Sequence, residues 1–499
     1  MKILKRDVKK SYHIFSTLIF IVLVIFIISR TAKVVERKDS RYKYEPFFEQ
    51  EENFDVLFLG TSHVMDGVFP MELWNDYGIV SYNLGGNGNY LPLSYWVMEN
   101  ALDYTSPELV VIDVFFMEED AKIRQAEQAH LSLDSFAVTP TKVKTILDLF
   151  DDKESDYYAG RWEFLWDFGI YHDRWNTLSE EDFVKRQTKE KGAESRIAVA
   201  VPREYTIISK EQKLNKDSTG KRYLCKMIED CQKRGIKVVL TNLPYPASEE
   251  EQMASNDAYD IAEEYGVDFI DFVQMDNVVN YQTDLYDYFS HLNPSGARKV
   301  TAYLGQYLRE YYNIPDQRST EAYESWKDDY EEYTRYKLDT IREQEQLDNA
   351  LMLLADKGLS CCIYIKEEAG VYQDQHMRAL IQNLCQYQKP SEINEAIETG
   401  EDYFLIVDNS WNRIWEVSGE RALEDAGTTF GSVNYGKDEQ NKPFLYLQGN
   451  DNNILESDPD LCMVVIDKYT GCVEDVAMLM PGRTENFVLT RGGKNRNAV

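Results

Sequence analysis

Short apolar runs that alternate with helical patterns constrain the fold of this chain more than any other feature. The runs span Val56–Leu59, Val80–Leu84, Leu109–Phe116, Val238–Leu243 and Val267–Phe272. Between them lie segments with helical spacing, such as Pro92–Ala101 and Arg222–Arg234. Strands that alternate with helices in this way are typical of a parallel sheet whose two faces are both covered. The sequence therefore predicts an α/β domain.

The chain has 499 residues, more than one ordinary core accommodates, so several domains are expected. The predicted order is a cytoplasmic tail (1–11), a transmembrane signal anchor (12–29), a juxtamembrane connector (30–52), an α/β domain (53–315) with an insertion at about 118–217, a helical connector (316–357), a smaller α/β domain (358–490) and a disordered tail (491–499). The smaller domain shows no catalytic constellation, which favours a binding or assembly module.

Residues Tyr12–Ser29 form the one long apolar run, of about 18 residues against the ~20 that span a bilayer. No small-residue cleavage site follows, so we expect an uncleaved signal anchor. Basic residues flank the run on both sides, and charge alone leaves the orientation open. The large acidic remainder favours a body outside the cell membrane, with the amino terminus in the cytoplasm. The alternative is a cytosolic protein whose apolar run is misread.

The net charge is −32, from 86 acidic and 54 basic residues. Nucleic-acid binding requires basic faces that displace counterions, so this balance argues against a nucleic-acid partner. The seven cysteines show no CxxC pair and no Cys/His cluster with zinc spacing. We therefore expect no metal and no other cofactor. A disulfide between Cys462 and Cys472 stays open.

A serine and a histidine stand at positions that suit nucleophilic catalysis. The run Phe54–Leu59 stops at Gly60 and delivers Ser62 just past its carboxyl end, where open α/β sheets bind ligands. His291 lies far downstream, just before Pro294 and a helical run. A hydroxyl is a weak nucleophile until a neighbouring base takes its proton. This pair is the minimum set for such a site, although either residue alone is more often a cap or a turn residue.

Two further segments extend this pair. The glycine-rich segment Tyr82–Asn89 follows another predicted strand, and its glycines permit close backbone approach to a reacting carbon. An acid lies just upstream of the histidine, and such an acid holds an imidazole in one tautomer. Asp287 and Asp284 are both candidates for this acid, and a Ser–His dyad without an acid is the third possibility.

Taken together, these segments resemble the SGNH (GDSL-like) hydrolase family over roughly residues 54–312. Ser62 matches its block I serine, Asn83, Gly85 and Gly88 match its Asn-x-Gly-x-x-Gly block, and His291 matches its block V histidine. The resemblance implies a flavodoxin-like three-layer α/β/α fold and an oxyanion hole built from the N–H groups of Ser62 and Gly88. With the anchor and the Gly-Thr-Ser-His form, the chain looks most like the membrane-anchored branch. That branch includes the D-alanyl transfer protein of teichoic acid modification and the proteins of alginate acetylation.

Two departures from the family pattern stand out. The family carries an Asn after its third strand, whereas Leu109–Met117 offers none, so Asn87 or Asn89 is our candidate replacement. The family acid stands three residues before the histidine, where this chain has Tyr288. A local bulge would bring Asp287, one place further upstream, into reach.

Other residues are candidates for a pocket around the site. His63 follows the nucleophile, and His172 and Arg174 lie in an aromatic part of the insertion. The resemblance implies esterase or O-acyl transfer chemistry on a cell-surface glycan or polymer, with an integral-membrane O-acyltransferase as partner. The alternative is a scaffold that keeps the fold with a weak or inactive site and docks other assembly proteins.

Overall fold

The computed structural model describes residues 2–166, 168–183, 189–385, 388, 390–447, 452–482 and 487–491. Helix α1 (Lys2–Val35) contains a 24-residue segment, Tyr12–Val35, that is long and apolar enough to cross a membrane, and an 18-residue stretch of it has a mean hydropathy of 2.5. Helix α2 (Lys38–Glu49) occupies most of the predicted connector. Of the predicted disordered tail, residues 492–499 lie outside the described residues, and Arg491 ends a strand.

Five strands form one parallel sheet. They are β1 (Val56–Leu59), β2 (Ser81–Asn83), β3 (Leu109–Asp113), β4 (Lys237–Asn242) and β5 (Asp268–Asp271). Every neighbouring pair is parallel, in the order β2-β1-β3-β4-β5, which confirms the predicted parallel α/β sheet. The chain moves outward in opposite directions from β1 and β3, so a crevice opens at the carboxyl ends of these strands.

Helices cover both faces of this sheet. The helices of this region are α3 (Ser62–Gly67), α4 (Pro70–Tyr77), α5 (Leu91–Ala101), α6 (Ala126–Leu133), α7 (Pro140–Leu149), α8 (Phe168–Tyr171), α9 (Thr219–Lys233), α10 (Glu249–Asn256), α11 (Ala258–Tyr265) and α12 (Pro294–Tyr312). One apolar layer packs Leu57 and Leu240 against α5 and α9. The other packs Phe58 and Val111 against α3, α4 and α12.

Hydrogen bonds of polar side chains set two boundaries that differ from the prediction. Strand β3 ends at Asp113 rather than at Phe116, because the Asp113 carboxylate accepts the backbone N–H groups of Leu243 and Phe115 and turns the chain. Helix α9 begins before the predicted Arg222, because the Ser218 side chain caps it and accepts the backbone N–H of Lys221.

The described part of the insertion holds α6, α7, α8 and three short 3₁₀ helices, Arg161–Leu165, His172–Asn176 and Glu180–Asp182. Its last part, 192–217, contains neither helix nor strand and crosses the carboxyl edge of the parallel sheet. The backbone N–H of Glu194 donates to the carbonyl of Met65 on α3, and that of Ala200 donates to the carbonyl of Leu285. We call residues 192–203 the crossing segment, because these bonds lay it beside α3 and the loop before α12.

Beyond the parallel sheet the strands pair antiparallel. The elements are α13 (Ser325–Glu343), α14 (Leu347–Leu354), β6 (Leu359–Ile365), α15 (Gln375–Asn383), α16 (Glu392–Thr399), β7 (Tyr403–Asp408), β8 (Arg413–Ser418), β9 (Leu423–Thr428), β10 (Gly431–Lys437), β11 (Pro443–Leu447), β12 (Leu461–Asp467), β13 (Val473–Leu479) and β14 (Leu489–Arg491). They form a six-stranded sheet, β14-β13-β12-β6-β7-β8, and a three-stranded sheet, β11-β10-β9. Helices cover one face of the larger sheet and the smaller sheet covers the other.

A buried ion cluster joins the two regions. Asp356 Oδ2 lies 2.9 Å from Lys337 Nζ and 3.3 Å from Arg298 Nη2, and Glu72 Oε1 lies 2.9 Å from Lys337 Nζ. Arg298 belongs to α12 and Glu72 to α4, so the cluster ties the helical connector to the parallel-sheet domain. All seven cysteines are free, so Cys462 and Cys472 form no disulfide.

Candidate active site

The turn after β1 presents Ser62 at the start of α3. The Thr61 hydroxyl caps this helix and accepts the backbone N–H of His63. Gly60 has a φ of +155°, and a Cβ on it would lie 2.6 Å from Val64 and 2.9 Å from the Cβ of Asp113. The turn therefore needs glycine at this position because the neighbouring strand and helix approach so closely.

The glycine-rich loop after β2 packs against the serine turn. Asn83 is fully buried; its Nδ2 donates to the carbonyls of Val64 (2.7 Å) and Val68 (2.8 Å), and its Oδ1 accepts the N–H of Gly85. A Cβ on Gly85 would lie 2.8 Å from the carbonyl oxygen of Thr61. The Asn-x-Gly pattern therefore fastens this loop to α3 beside the serine.

The histidine lies in a tight loop that a capping asparagine holds in place. Asn293 caps α12: its Oδ1 accepts the N–H groups of Ser295 and Gly296, and its Nδ2 donates to the carbonyls of Thr283 and Leu285. The backbone N–H of Tyr286 donates to the carbonyl of His291, which closes the loop. The segment Ser290–Asn293 thus fixes the position of His291 relative to the sheet.

Ser62, His291 and Asp287 form one hydrogen-bonded chain. The Ser62 Oγ lies 2.8 Å from the His291 Nε2, and the His291 Nδ1 lies 2.5 Å from the Asp287 Oδ2. Because an ionised carboxylate only accepts hydrogen bonds, the proton belongs on Nδ1, and the lone pair of Nε2 faces the serine hydroxyl. The side chains of His291 and Asp287 are 22% and 28% exposed, so these hydrogen-bonded side chains are accessible to solvent.

The two acids that the sequence left open occupy different environments. Asp287 Oδ1 accepts the backbone N–H groups of Phe289, Ser290 and His291. Partial burial alone would raise the pKa of the Asp287 carboxyl. The hydrogen bonds from His291 and the Ser290 backbone outweigh this effect and hold that pKa well below its ordinary value. Asp287 lies four residues before His291, one more than the spacing of three that the sequence comparison leads one to expect. The turn accommodates this extra residue and brings the Asp287 carboxylate against the imidazole.

Asp284 has a structural role instead. Its carboxylate is fully buried, accepts the hydroxyl of Ser295 and lies 2.6 Å from Lys299 Nζ. Its Oδ2 also accepts the backbone N–H of Asn280. These bonds brace the start of α12 behind the histidine loop.

The backbone N–H groups predicted for an oxyanion hole are free to donate. Ser62 is the first residue of α3, where N–H groups have no partner within the helix. Gly88 has a φ of +63°, a left-handed conformation that favours glycine. Among the described residues we find no hydrogen bond from either N–H group, and the bond from the Gly86 N–H to the Gly60 carbonyl (3.1 Å) holds the two turns together.

A buried ion pair beside the serine was not predicted from the sequence. Asp66 lies one helical turn after Ser62 and is 1% exposed, and its Oδ2 lies 2.8 Å from the Nε of Arg196 in the crossing segment. Burial raises the pKa of the Asp66 carboxyl to about 7, although Arg196 and His291 oppose this rise. Arg196 Nη2 also donates to the Asn87 Oδ1 (3.1 Å). Arg196 therefore bridges α3 and the glycine-rich loop.

The two asparagines proposed as replacement donors have different partners. Since the Oδ1 of Asn87 accepts from Arg196, its Nδ2 is left as a donor beside the serine turn. Asn89 is buried, and its Oδ1 accepts the hydroxyl of Ser132 inside the loop. The Nδ2 of Asn89 also has no hydrogen-bond partner among the described residues, and Asn87 is favoured because Arg196, which pairs with Asp66 of α3, holds it. The contacts of Arg196 with Asp66 and Asn87 could not be predicted from the sequence, because Arg196 lies far from both residues along the chain.

His63 lines the site as an apolar wall. Its ring stacks on Phe115 at 3.8 Å between centroids and lies 5.5 Å from the ring of His291. Burial, and after it the neighbouring His291, lower the pKa of His63 well below its ordinary value, so the ring is neutral. Neither of its ring nitrogens has a hydrogen-bond partner among the described residues. Phe115 follows β3, within the segment Leu109–Met117 that contains no asparagine.

The structure places the insertion residues elsewhere. His172 is exposed, and its Nδ1 contacts the carbonyl of Gly169. Arg174 donates from Nη1 to the carbonyls of Val35 (2.8 Å) and Glu36 (2.6 Å) at the end of α1. Within the described chain, none of their hydrogen bonds reaches Ser62 or His291, so these two residues belong to the junction with α1.

Comparison with known proteins gives no match that would assign a function to this site. No protein-family model and no curated protein matches the chain. Within the described residues no group of three or more His, Cys, Asp or Glu side chains is arranged to hold a metal ion. The features that bear on function are therefore the hydrogen-bonded residues Ser62, His291 and Asp287 and their surroundings.

Proposed function

We propose that this protein is a membrane-anchored serine esterase or O-acyltransferase of the SGNH type, with a flavodoxin-like three-layer body outside the cell membrane. The observation that carries this proposal is the hydrogen-bonded chain from Ser62 through His291 to Asp287. It lies at the carboxyl edge of a parallel sheet of order 2-1-3-4-5, beside the backbone N–H groups of Ser62 and Gly88, which have no partner among the described residues.

Acylation begins when Ser62 Oγ attacks the carbonyl carbon of an acyl ester and His291 Nε2 takes the hydroxyl proton. The carbonyl oxygen becomes an oxyanion, which accepts hydrogen bonds from the N–H groups of Ser62 and Gly88. The C–O bond to the leaving alcohol then breaks, and the alcohol departs with the proton from His291. Asp287 stays ionised throughout and stabilises the imidazolium.

Deacylation repeats these steps with a second nucleophile. A water molecule or a glycan hydroxyl gives its proton to His291 and attacks the acyl-serine, and Ser62 leaves with that proton returned. Water completes an esterase cycle, and a glycan hydroxyl completes an O-acyl transfer. The 22% exposure of the His291 side chain supports access by a polymer hydroxyl.

The proposed substrate is a cell-envelope polysaccharide or polymer, and the proposed partner is an integral-membrane O-acyltransferase. Helix α1 supports both, because an anchor keeps the site near a membrane where such partners and donors reside. The net charge of −32 disfavours unassisted adsorption to anionic polymers.

The test is p-nitrophenyl acetate hydrolysis and fluorophosphonate labelling of the full chain in detergent. Ser62→Ala and His291→Ala are each expected to lower turnover by about 10⁴-fold or more and to abolish labelling. Ser410→Ala, in the antiparallel region, is the matched control and should leave both unchanged. Turnover that survives Ser62→Ala would place the chemistry elsewhere.

The alternative is a scaffold in an envelope polymer-modification complex. The missing asparagine after β3, where Phe115 stacks on His63, favours it. A wild-type protein that neither turns over the ester nor takes the label would support the scaffold. In an active protein, Asn87→Ala should lower kcat by about 10²-fold, since one oxyanion donor is lost.

A further inference from the structure

Large aromatic side chains project from the insertion into solvent. Trp162, Trp166 and Trp175 are 46%, 56% and 68% exposed, and Phe183 is 68% exposed. Isolated exposed apolar residues are ordinary on a soluble surface, but four large aromatic ones within one short segment are not. We call these four residues the aromatic patch.

The segment that carries the aromatic patch is fastened to the end of the membrane-crossing helix. Arg174 Nη1 donates to the carbonyl of Val35, the last residue of α1, and to that of Glu36 just after it, and its Nη2 lies 2.8 Å from the Asp182 carboxylate. Helix α8 and the 3₁₀ helix His172–Asn176 both contact α1. Trp175 lies in that 3₁₀ helix, and the Trp166 ring lies 5.8 Å from the ring of Phe168 in α8, so both tryptophans have a fixed position relative to α1.

That position corresponds to the surface of a bilayer. The apolar run of α1 ends at Ser29, and an α-helix rises about 1.5 Å per residue, so Val35 lies about 9 Å further along the helix axis. A bilayer adds about 5–8 Å of headgroups beyond each side of its hydrocarbon core. A tilt of about 20°, which is usual for membrane helices, lowers one side of the body further. Side chains at the level of Val35 can thus reach the headgroups.

We propose that the aromatic patch is a membrane-interface element, which inserts Trp162, Trp166 and Trp175 among the headgroups of the bilayer that α1 crosses. Tryptophan suits this location because its ring is apolar and its N–H finds polar partners there. Exposed acids such as Glu163 and Asp173 surround the rings, so attraction to anionic lipids does not drive the contact. The inference depends on α1 crossing a membrane and is independent of the proposed catalysis.

The test uses tryptophan fluorescence of the full chain in phosphatidylcholine nanodiscs that contain lipids brominated high on the acyl chain. Helix α1 contains no tryptophan, so the anchor itself gives no signal. We expect bromolipid to quench the wild type and the variant W162F/W166F/W175F to lose most of that quenching. Trp411, 55% exposed in the antiparallel region, supplies the control W411F, which should keep it.

Equal quenching in the triple variant and the wild type would overturn the proposal, as would full quenching of the three tryptophans by soluble acrylamide in nanodiscs. Co-elution of each variant with nanodiscs verifies that α1 is inserted. Half replacement of phosphatidylcholine by phosphatidylglycerol should not strengthen the quenching. A clear increase would mean electrostatic attraction and would contradict the mechanism.

Discussion

The sheets of the parallel and the antiparallel regions are both covered by apolar layers. The two regions differ in how completely their buried polar groups are hydrogen-bonded. In the parallel-sheet domain, polar atoms of His63, Asn89 and Asn242 are buried without a hydrogen-bond partner among the described residues. In the described part of the chain after residue 358, His376 Nδ1 is the one such side-chain atom. The described part of the antiparallel region therefore satisfies its buried polar side chains almost completely, as is usual for protein interiors.

The difference follows from strand direction. Parallel strands bring all their carboxyl ends to one edge, so loops distant in sequence converge there and carry polar groups into a shared crevice. Antiparallel hairpins divide their turns between both ends of a sheet, and each turn satisfies its own polar groups. Asp408 is an example, since its carboxylate accepts the N–H groups of Ser410 and Trp411 in its own turn, in addition to that of Thr429 in the neighbouring hairpin.

The largest expected effect tests whether ester hydrolysis depends on the parallel-sheet domain alone. In Asp287→Asn, the new Nδ2 faces His291 Nδ1 and imposes the tautomer that carries its proton on Nε2, so the base is lost. We expect kcat for p-nitrophenyl acetate to fall by about 10⁴-fold. Asp408→Asn changes a comparable turn carboxylate and should leave kcat unchanged. A loss of similar size in both variants would break the comparison.

The ion cluster that joins the two regions should give the next effect. Asp356→Ala leaves Lys337 and Arg298 buried with one carboxylate between them, so we expect a loss of about 3–5 kcal/mol in the free energy of unfolding. Chemical denaturation followed by circular dichroism measures it. Lys366→Ala removes an exposed pair with Asp458 and should cost at most about 1 kcal/mol. Similar costs would show that the cluster does not couple the regions.

A pH effect should arise in the parallel region. Burial raises the pKa of Asp113 to about 7, so its contribution to stability is complete below about pH 4 and is lost as the pH rises to 7. The loss amounts to at most about 4 kcal/mol. Asp113→Asn should flatten the dependence of the thermal midpoint on pH across this window. Thr241→Val removes a hydrogen bond and keeps the carboxyl, so its slope should match the wild type.

The smallest effect compares the two cores directly. Ile112 on β3 and Ile363 on β6 are both fully buried, and each change to Val should cost about 0.5–1.5 kcal/mol by denaturant titration. Since neither side chain contributes a polar group to the site, kcat should stay within about twofold of the wild type in both variants. A kcat loss confined to Ile112→Val would show that packing of β3 positions the site.

Most of the fold could be predicted from local sequence patterns. The features that could not be predicted depend on contacts between residues that lie far apart in the sequence. The apolar runs of β1, β3 and β4 predicted buried parallel strands, because such strands need apolar residues on both faces. Strand β9, with the sequence LEDAGT, escaped prediction because its mostly polar residues resemble a loop, and pairing with β10 stabilises it as a strand. The distinction between Asp287 and Asp284 likewise needed the fold, since it depends on Lys299 binding the latter.

Helix α2 has a consequence for where the protein can work. If residues 30–52 were a flexible tether, their contour length of about 80 Å would let the body sweep a wide volume above its anchor. Instead Tyr44 and Phe47 of α2 are buried in the core of the parallel-sheet domain. The parallel-sheet domain is therefore held at a fixed distance from the end of α1. Under the proposed function, only polymer segments at that distance from the end of α1 would reach the Ser62–His291 pair.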